Sequence, residues 1–115
     1  MNVATLAALI QGKSLNGLGE ELEVDYGYSC DLLSWVMARG QKGTAWVTVQ
    51  THQNVVAVAT LLEFACIIVP EGIEVEPDIV DKANEEGIAL ISTPLTAYEV
   101  CGRMAAAGIA SAGKG

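Results

Sequence analysis

The sequence predicts an α/β fold with a mostly parallel sheet flanked by helices, forming a single three-layer domain. Three short β-rich runs alternate with helical patterns, at residues 46–50 (WVTVQ), 66–69 (CIIV) and 88–92 (IALIS). Each run stops at polar, Pro or Gly residues. Strands that alternate with helices along a chain are typical of parallel sheets.

Capping and turn signals predict the remaining elements. Amphipathic spacing predicts a short helix over 3–10, and alternation predicts a strand over 22–26. Four further helices are expected, over 30–39 after a Ser29 cap, over 55–64 after an Asn54 cap, from Pro77 to near Gly87, and from the Thr96-x-x-Glu99 capping box to Gly108. We therefore expect one domain over residues 1–109, followed by a flexible tail at 110–115.

Charge and hydropathy exclude several classes of function. The chain has 115 residues with 14 Asp plus Glu against 6 Lys plus Arg, which argues against a nucleic-acid partner. Seven of the acids lie between Glu71 and Glu86, where they form either a solvated helix face or a docking surface for a basic partner. The most apolar window, 55–70, is too short to span a membrane. Because the first cation is Lys13, a secretory signal is not expected, and a cytoplasmic location is the default.

The three cysteines predict neither disulfides nor a metal centre. Cys30, Cys66 and Cys101 are odd in number and more than thirty residues apart. We expect reduced, mostly buried thiols, with no metal and no cofactor. Cys30 has an alternative role as a thiol redox sensor, since a helix N-terminus can lower a thiol pKa.

The strand ends predict a ligand site, because ligands of open parallel sheets bind beyond the carboxyl ends of the strands. Helix N-termini at this edge favour a small anionic or nucleotide-like ligand. The candidate ligand-binding residues are Tyr28, Ser29, Gln50, Thr51, His52, Gln53, Asn54, Gly72, Ser92 and Thr93. The alternative is that His52 is a structural turn residue and that the other side chains cap helices or pin loops.

A catalytic role is not expected. No second titratable group is clearly placed to pair with His52, so a small enzyme using Asp31, His52 or Glu99 is only the alternative. The segment 108–115 nearly matches a P-loop, but it lacks the Ser or Thr that binds magnesium and it follows a helix. We therefore expect no kinase activity.

Two predicted helices are too apolar for the surface of a monomer, which predicts a homodimer. The expected interface residues lie on the helices at 30–39 and 55–64, and they are Trp35, Val36, Met37, Val55, Val56, Ala59 and Leu62. The alternative is a three-layer monomer that buries both helices internally.

Three segments also resemble the DRTGG-domain family: 27–37 (GYSCDLLSxVM), 50–59 (QTHQNVVAVA) and 87–93 (GIxxIST), where x is a position outside the resemblance. The chain resembles the stand-alone members encoded beside iron-only hydrogenase and related redox proteins in anaerobic bacteria. Related domains lie between CBS domains of some pyrophosphatases and in some phosphotransacetylases, and the fold is similar to the amino-terminal domain of HPr kinase/phosphorylase. The resemblance implies a dimerising regulatory module, with a hydrogenase or electron-transfer system as partner.

The chain departs from the motif that names this family. Pro70-Glu71-Gly72 stands where the family has Thr-Gly-Gly, and Thr51-His52 or its neighbours replace the Asp-Arg pair. A ligand bound by those family residues therefore does not carry over to this chain.

Overall fold

The computed structural model describes residues 1–113 as a six-stranded sheet with helices on both faces. The elements are α1 (Val3–Leu9), β1 (Lys13–Ser14), β2 (Tyr26–Ser29), α2 (Leu33–Arg39), β3 (Thr44–Val47), α3 (Gln53–Leu61), β4 (Cys66–Val69), α4 (Pro77–Glu86), β5 (Ala89–Ser92), α5 (Ala97–Ala106) and β6 (Ala110–Ser111). The predicted α/β class and the mostly parallel sheet are confirmed.

The strand order is β1-β5-β4-β3-β2-β6, and only β1 runs antiparallel to its neighbour. Strands β2 to β5 are parallel and adjacent in chain order, so their carboxyl ends share one edge of the sheet. We call this edge the carboxyl edge.

Side-chain alternation along the strands divides the core into two layers. Val47, Ile68 and Ile91 pack with α1 and α5 on one face, whereas Trp46, Ile67 and Leu90 pack with α2, α3 and α4 on the other. All six side chains are at most 1% exposed. The sheet is thus buried on both faces, which explains why its strands are continuously apolar instead of alternating.

Element boundaries differ from the prediction where local hydrogen bonds compete. The predicted strand at 22–26 begins only at Tyr26, because the preceding residues pair with the amino terminus, where the Val24 amide donates to the Met1 carbonyl. The helix predicted from residue 30 begins at Leu33, since Ser29 still belongs to β2. Helix α3 begins at Gln53, because the cap is His52 and not Asn54.

Other local predictions are confirmed. Pro77 opens α4, and Gly87 ends it in the left-handed conformation at φ 73°. The Thr96 hydroxyl accepts from the Glu99 amide at 3.1 Å, as the capping-box pattern predicted. The Glu99 carboxylate instead pairs with Arg103, so the reciprocal half of that box is replaced by an ion pair.

The predicted dimer interface is largely wrong, because four of its residues are core residues of the single chain. Val36, Val55, Val56 and Ala59 are at most 2% exposed. Helix α3 lies between α2 and α4 on the same sheet face, so its flanks are covered from within. Only Trp35 and Met37, each 48% exposed, and the half-buried Leu62 keep surface for a partner.

The predicted tail begins as part of the sheet. Ala110 and Ser111 form the edge strand β6 beside β2, and the buried Ala112 donates its amide to the Gly27 carbonyl. Lys114 and Gly115, the last two residues of the predicted tail and of the P-loop-like segment, lie outside the described residues. Within residues 1–113, no helix is long and apolar enough to cross a membrane.

Candidate functional site

The carboxyl edge is held together by hydrogen bonds between strand ends. The Asp31 carboxylate, two residues beyond β2, accepts from the Thr48 hydroxyl at 2.7 Å and from the Val49 amide at 3.0 Å. The Thr48 hydroxyl in turn accepts from the Gln50 amide at 3.1 Å. These contacts join the ends of β2 and β3 and give Asp31 a structural role.

Three of the predicted ligand residues meet in one open pocket of about 300 Å³. Thr51 and His52 line it from the β3–α3 connection and Gln53 from the first turn of α3, and residues at the start of α4 line the opposite wall. The six lining residues are Thr51, His52, Gln53, Glu76, Asp78 and Ile79. We call this the strand-end pocket.

The strand-end pocket is acidic, and five of its six lining residues have polar side chains. The Gln53 side-chain amide donates to the Asp78 carboxylate at 3.3 Å across it. Glu76 supplies a second carboxylate, and none of the six described lining residues is Lys or Arg. Such groups suit a ligand that presents hydroxyls or N–H donors, and they oppose a phosphate placed among them.

Glu76, Asp78 and Ile79 were not singled out from the sequence. Strand order brings them into the pocket. Helix α3 follows β3 and helix α4 follows β4, and because β3 and β4 are neighbours, the starts of the two helices lie side by side. A polar pair at the first turns of consecutive helices is thus a usable sequence feature once the strand order is known.

His52 is the N-cap residue of α3. Its Nδ1 accepts from the Asn54 amide at 3.1 Å, which leaves Nε2 to donate from an exposed ring. His52 therefore has a structural role as the cap of α3, in line with the alternative interpretation of the sequence. A role in ligand binding through Nε2 stays a prediction.

The remaining predicted residues are separated from this pocket. Thr93 is 1% exposed, and its hydroxyl donates to the Ile10 carbonyl at 2.7 Å. Gly72 adopts φ 65° in the turn after β4 and donates its amide to the Thr93 carbonyl, and Ser92 pairs in register with Lys13 of β1. Thr93 is thus a core anchor with no surface to offer a ligand.

Tyr28 and Ser29 line a different cleft, between β2 and α5, with a volume of about 370 Å³. Its other lining residues are Gly27, Val47, Cys101, Met104, Ala105, Ile109 and Ser111. We call it the β2/α5 cleft. Burial, followed by the neighbouring Cys30, raises the pKa of Tyr28 above its usual value.

The cysteines are free thiols in three different environments. Cys66 is fully buried, and this burial raises its pKa to about 12. Cys30 lies three residues before the first residue of α2 and contacts the Leu32 carbonyl through its sulfur at 3.8 Å. Cys30 is therefore not at the helix N-terminus where the sequence predicted it. Cys101 is half-buried in the β2/α5 cleft.

The three residues of the alternative enzyme have separate partners. Asp31 accepts a hydrogen bond from Thr48 at the end of β3, and His52 caps α3. Glu99 pairs with Arg103 at 3.2 Å along α5. Residues 1–113 contain no group of three or more His, Cys, Asp or Glu side chains placed to hold a metal ion.

Comparison with known proteins finds similarity in structure but no match in sequence. No family model and no curated protein sequence matches the chain. The structure is similar to that of the CBS and DRTGG domains of the regulatory region of Clostridium perfringens pyrophosphatase, complexed with the activator diadenosine tetraphosphate. The TM-score is 0.74 at 15% identity, covering 90% of this chain and 45% of that one.

This similarity supports a DRTGG-like fold for the chain. At 15% identity it bears on the fold alone, and the chain spans less than half the length of the regulatory region it matches.

Proposed function

We propose that this chain is a non-catalytic regulatory module that binds a small ligand in the strand-end pocket. The observation that carries the proposal is the fold shared with a regulatory region that was solved with a nucleotide activator. The separate structural partners of Asp31, His52 and Glu99 support a non-catalytic role.

The side chains of the pocket favour binding of the uncharged part of a nucleotide-like ligand. Asp78 and Glu76 can accept from ribose hydroxyls or from exocyclic amines, whereas Gln53 both donates and accepts. A polyphosphate needs cations or basic residues from elsewhere, since the lining carboxylates repel it. We therefore expect a nucleoside to bind at least as tightly as its polyphosphate, which revises the anionic preference expected from the sequence.

The module is also proposed to act as a homodimer and to contact a protein of a hydrogenase or other electron-transfer system. The protein partner rests on the family resemblance alone. The start of α2 offers a surface for this protein partner. Leu32, Trp35 and Met37 are there 61%, 48% and 48% exposed. Leu32 and Trp35 lie three positions apart and so share one side of α2, and neighbouring exposed apolar side chains are typical of protein-binding surfaces. We call them the α2 patch.

Isothermal titration calorimetry with adenosine and with diadenosine tetraphosphate tests the ligand proposal. Native mass spectrometry of the purified protein detects molecules retained from the cell. Asp78→Asn removes the pocket's charged acceptor, and Asp81→Asn is the control, since it makes the same change on the same helix outside the pocket. Hydrogen bonds to a carboxylate contribute about 1.5–3 kcal/mol, so Asp78→Asn should weaken adenosine binding by about 10- to 100-fold.

The proposal fails if neither compound binds at millimolar concentration and the purified protein carries no extra mass. It also fails if Asp81→Asn weakens binding as much as Asp78→Asn does, because the effect would then come from overall charge.

A further inference from the structure

The β2/α5 cleft has no part in the proposed function, although its size is that of a ligand site. Its volume of about 370 Å³ lies within the range of small-molecule pockets. It shares no lining residue with the strand-end pocket, which lies at the starts of α3 and α4. The cleft therefore has to be considered as a separate site.

The inner wall of the cleft is apolar and is built by β2, β3 and α5. A Cβ built on Gly27 would lie 2.8 Å from Cε of Met104 and 3.4 Å from Cγ2 of Ile109, so the glycine lets both side chains pack against β2. Met104 is 4% exposed and Val47 of β3 is 1% exposed. A ligand can bury an apolar body against this wall.

The lining of the cleft carries no charge. None of its nine lining residues within the described part of the chain is Asp, Glu, Lys, Arg or His, although the whole chain has a formal net charge of −8. A phosphate or a fatty-acid carboxylate would meet no cation here, and an ion buried without a partner is costly. The lining therefore selects an uncharged ligand.

Unpaired strand backbone forms a polar edge beside the cleft. The Cys30 amide donates to the Val47 carbonyl of β3, so the backbone groups of the preceding residue, Ser29, face away from β3. On that side β6 pairs no further along β2 than Gly27, whose carbonyl accepts from the Ala112 amide. Among residues 1–113, the Ser29 amide and carbonyl therefore have no strand to pair with on this side, and Ser29 lines the cleft.

The short length of this open edge selects a small molecule over a peptide. A peptide that adds a strand to a sheet pairs with alternate residues over several positions. Here β6 covers the first half of β2, and the chain turns toward α2 soon after Ser29, so the donor and the acceptor of one residue remain.

We infer that the β2/α5 cleft binds a second, uncharged ligand with an apolar body and a cyclic amide edge. The ligand N–H donates to the Ser29 carbonyl, and the neighbouring ligand carbonyl accepts from the Ser29 amide, as a paired strand would do. The apolar body lies against Met104 and Ile109. This inference goes beyond the proposed function and does not rest on it, because the two sites share no residue.

Nuclear magnetic resonance titration of the isotope-labelled full chain with 2-quinolone tests the inference. This probe is an uncharged bicyclic lactam with an N–H beside a carbonyl. It should bind at millimolar concentration or below, and the Ser29 amide signal should be among those that shift most. N-methyl-2-quinolone is the matched probe without the donor, and it should bind about 3- to 10-fold more weakly, because the Ser29 carbonyl stays unpaired.

Ala105→Phe and Ala106→Phe locate the probe. Both alanines are exposed on α5, but only Ala105 lines the cleft. A phenylalanine at 105 occupies the space of the ligand and should raise the Kd of 2-quinolone by about 10-fold or more. The same substitution at 106 should leave this Kd unchanged, and circular dichroism checks that both variants fold.

Alkylation of the wild-type cysteines gives a readout that needs no variant. Cys101 lines the cleft, whereas Cys30 packs on the opposite face of the sheet. Iodoacetamide forms an S–C bond to each accessible thiol, with loss of iodide and a proton. At ten times its Kd, 2-quinolone should slow alkylation of Cys101 about 10-fold and leave the rate at Cys30 unchanged.

The inference is overturned if 2-quinolone does not bind at millimolar concentration. Equal affinity for the two quinolones would remove the role of the Ser29 backbone and overturn it as well. Equal effects of Ala105→Phe and Ala106→Phe, or equal protection of Cys101 and Cys30, would place the probe outside the cleft. Adenosine is titrated separately, so its failure to bind would count against the proposed function and leave the cleft site standing.

Discussion

Thr93→Val is expected to destabilise the fold whether or not a ligand is bound, because the Thr93 hydroxyl is a buried structural anchor. The hydroxyl donates to the Ile10 carbonyl at 2.7 Å and accepts from the Leu95 amide at 3.2 Å. It thereby ties the end of α1 to the end of β5. Valine has nearly the same shape but neither donates nor accepts.

The expected loss follows from the two groups left without a partner. A buried carbonyl that loses its donor costs about 1–3 kcal/mol, and the partly buried Leu95 amide adds about 0.5 kcal/mol, since water can replace its acceptor. The unfolding free energy should therefore fall by about 1.5–3.5 kcal/mol. For a domain of this size that corresponds to a decrease in Tm of about 10 °C.

Urea unfolding followed by tryptophan fluorescence measures this change, since Trp46 is fully buried in the native state. Thr93→Ser keeps the hydroxyl and removes one methyl group, so it should cost only about 1 kcal/mol. The reasoning is refuted if Thr93→Val lies within 0.5 kcal/mol of the wild type, or if Thr93→Ser costs as much as Thr93→Val.

Three further predictions concern single contacts. His52→Ala should lower the unfolding free energy by about 0.5–1 kcal/mol by removing the acceptor for the Asn54 amide, whereas His52→Asn should restore it; equal thermal stability of the two variants would contradict a capping role. Cys66 should resist iodoacetamide in the native state, and stability should fall as pH rises above 9, because the unfolded thiol ionises there while the folded pKa is about 12. This loss should be smaller in Cys66→Ala, where only groups such as Tyr28 with its raised pKa still contribute, and a wild type that shows the same stability at pH 8 and pH 10 would contradict the burial argument. Gly40→Ala should cost about 1–3 kcal/mol in urea unfolding, since the new Cβ would lie 2.7 Å from Cε1 of the buried Phe64; a stabilised variant would show that the ring moves aside freely.

The differences between the predicted and observed elements have specific local causes. The strand expected at 46–50 ends at Val47, because the Asp31 carboxylate takes the Val49 amide and the Thr48 hydroxyl. Nothing in the pattern of residues 46–50 indicates that an acid fifteen or more positions earlier competes for those groups. Edge strands β1 and β6 are two residues each, too short for a period-two signal.

The ligand site at the carboxyl edge stays a prediction, although the parallel strand directions from which it was argued are confirmed. Strand direction could be predicted because it follows from the alternation of strands and helices along the chain. The sequence grouped Thr93 with His52, although one is a core anchor and the other an exposed cap. Both residues follow a strand, and only the path of the chain decides which of them turns inward.

The sequence by itself determined the α/β class, the parallel central strands, several helix ends and the charge that argues against nucleic acid. These properties are encoded in residue periodicity, capping patterns and composition, which act over a few residues. The tertiary structure alone decided that α3 lies between two other helices and that Tyr28 and Ser29 line a cleft apart from the strand-end pocket. Both depend on strand order and helix placement, which bring together residues far apart in the chain, and local patterns carry no information about such distances.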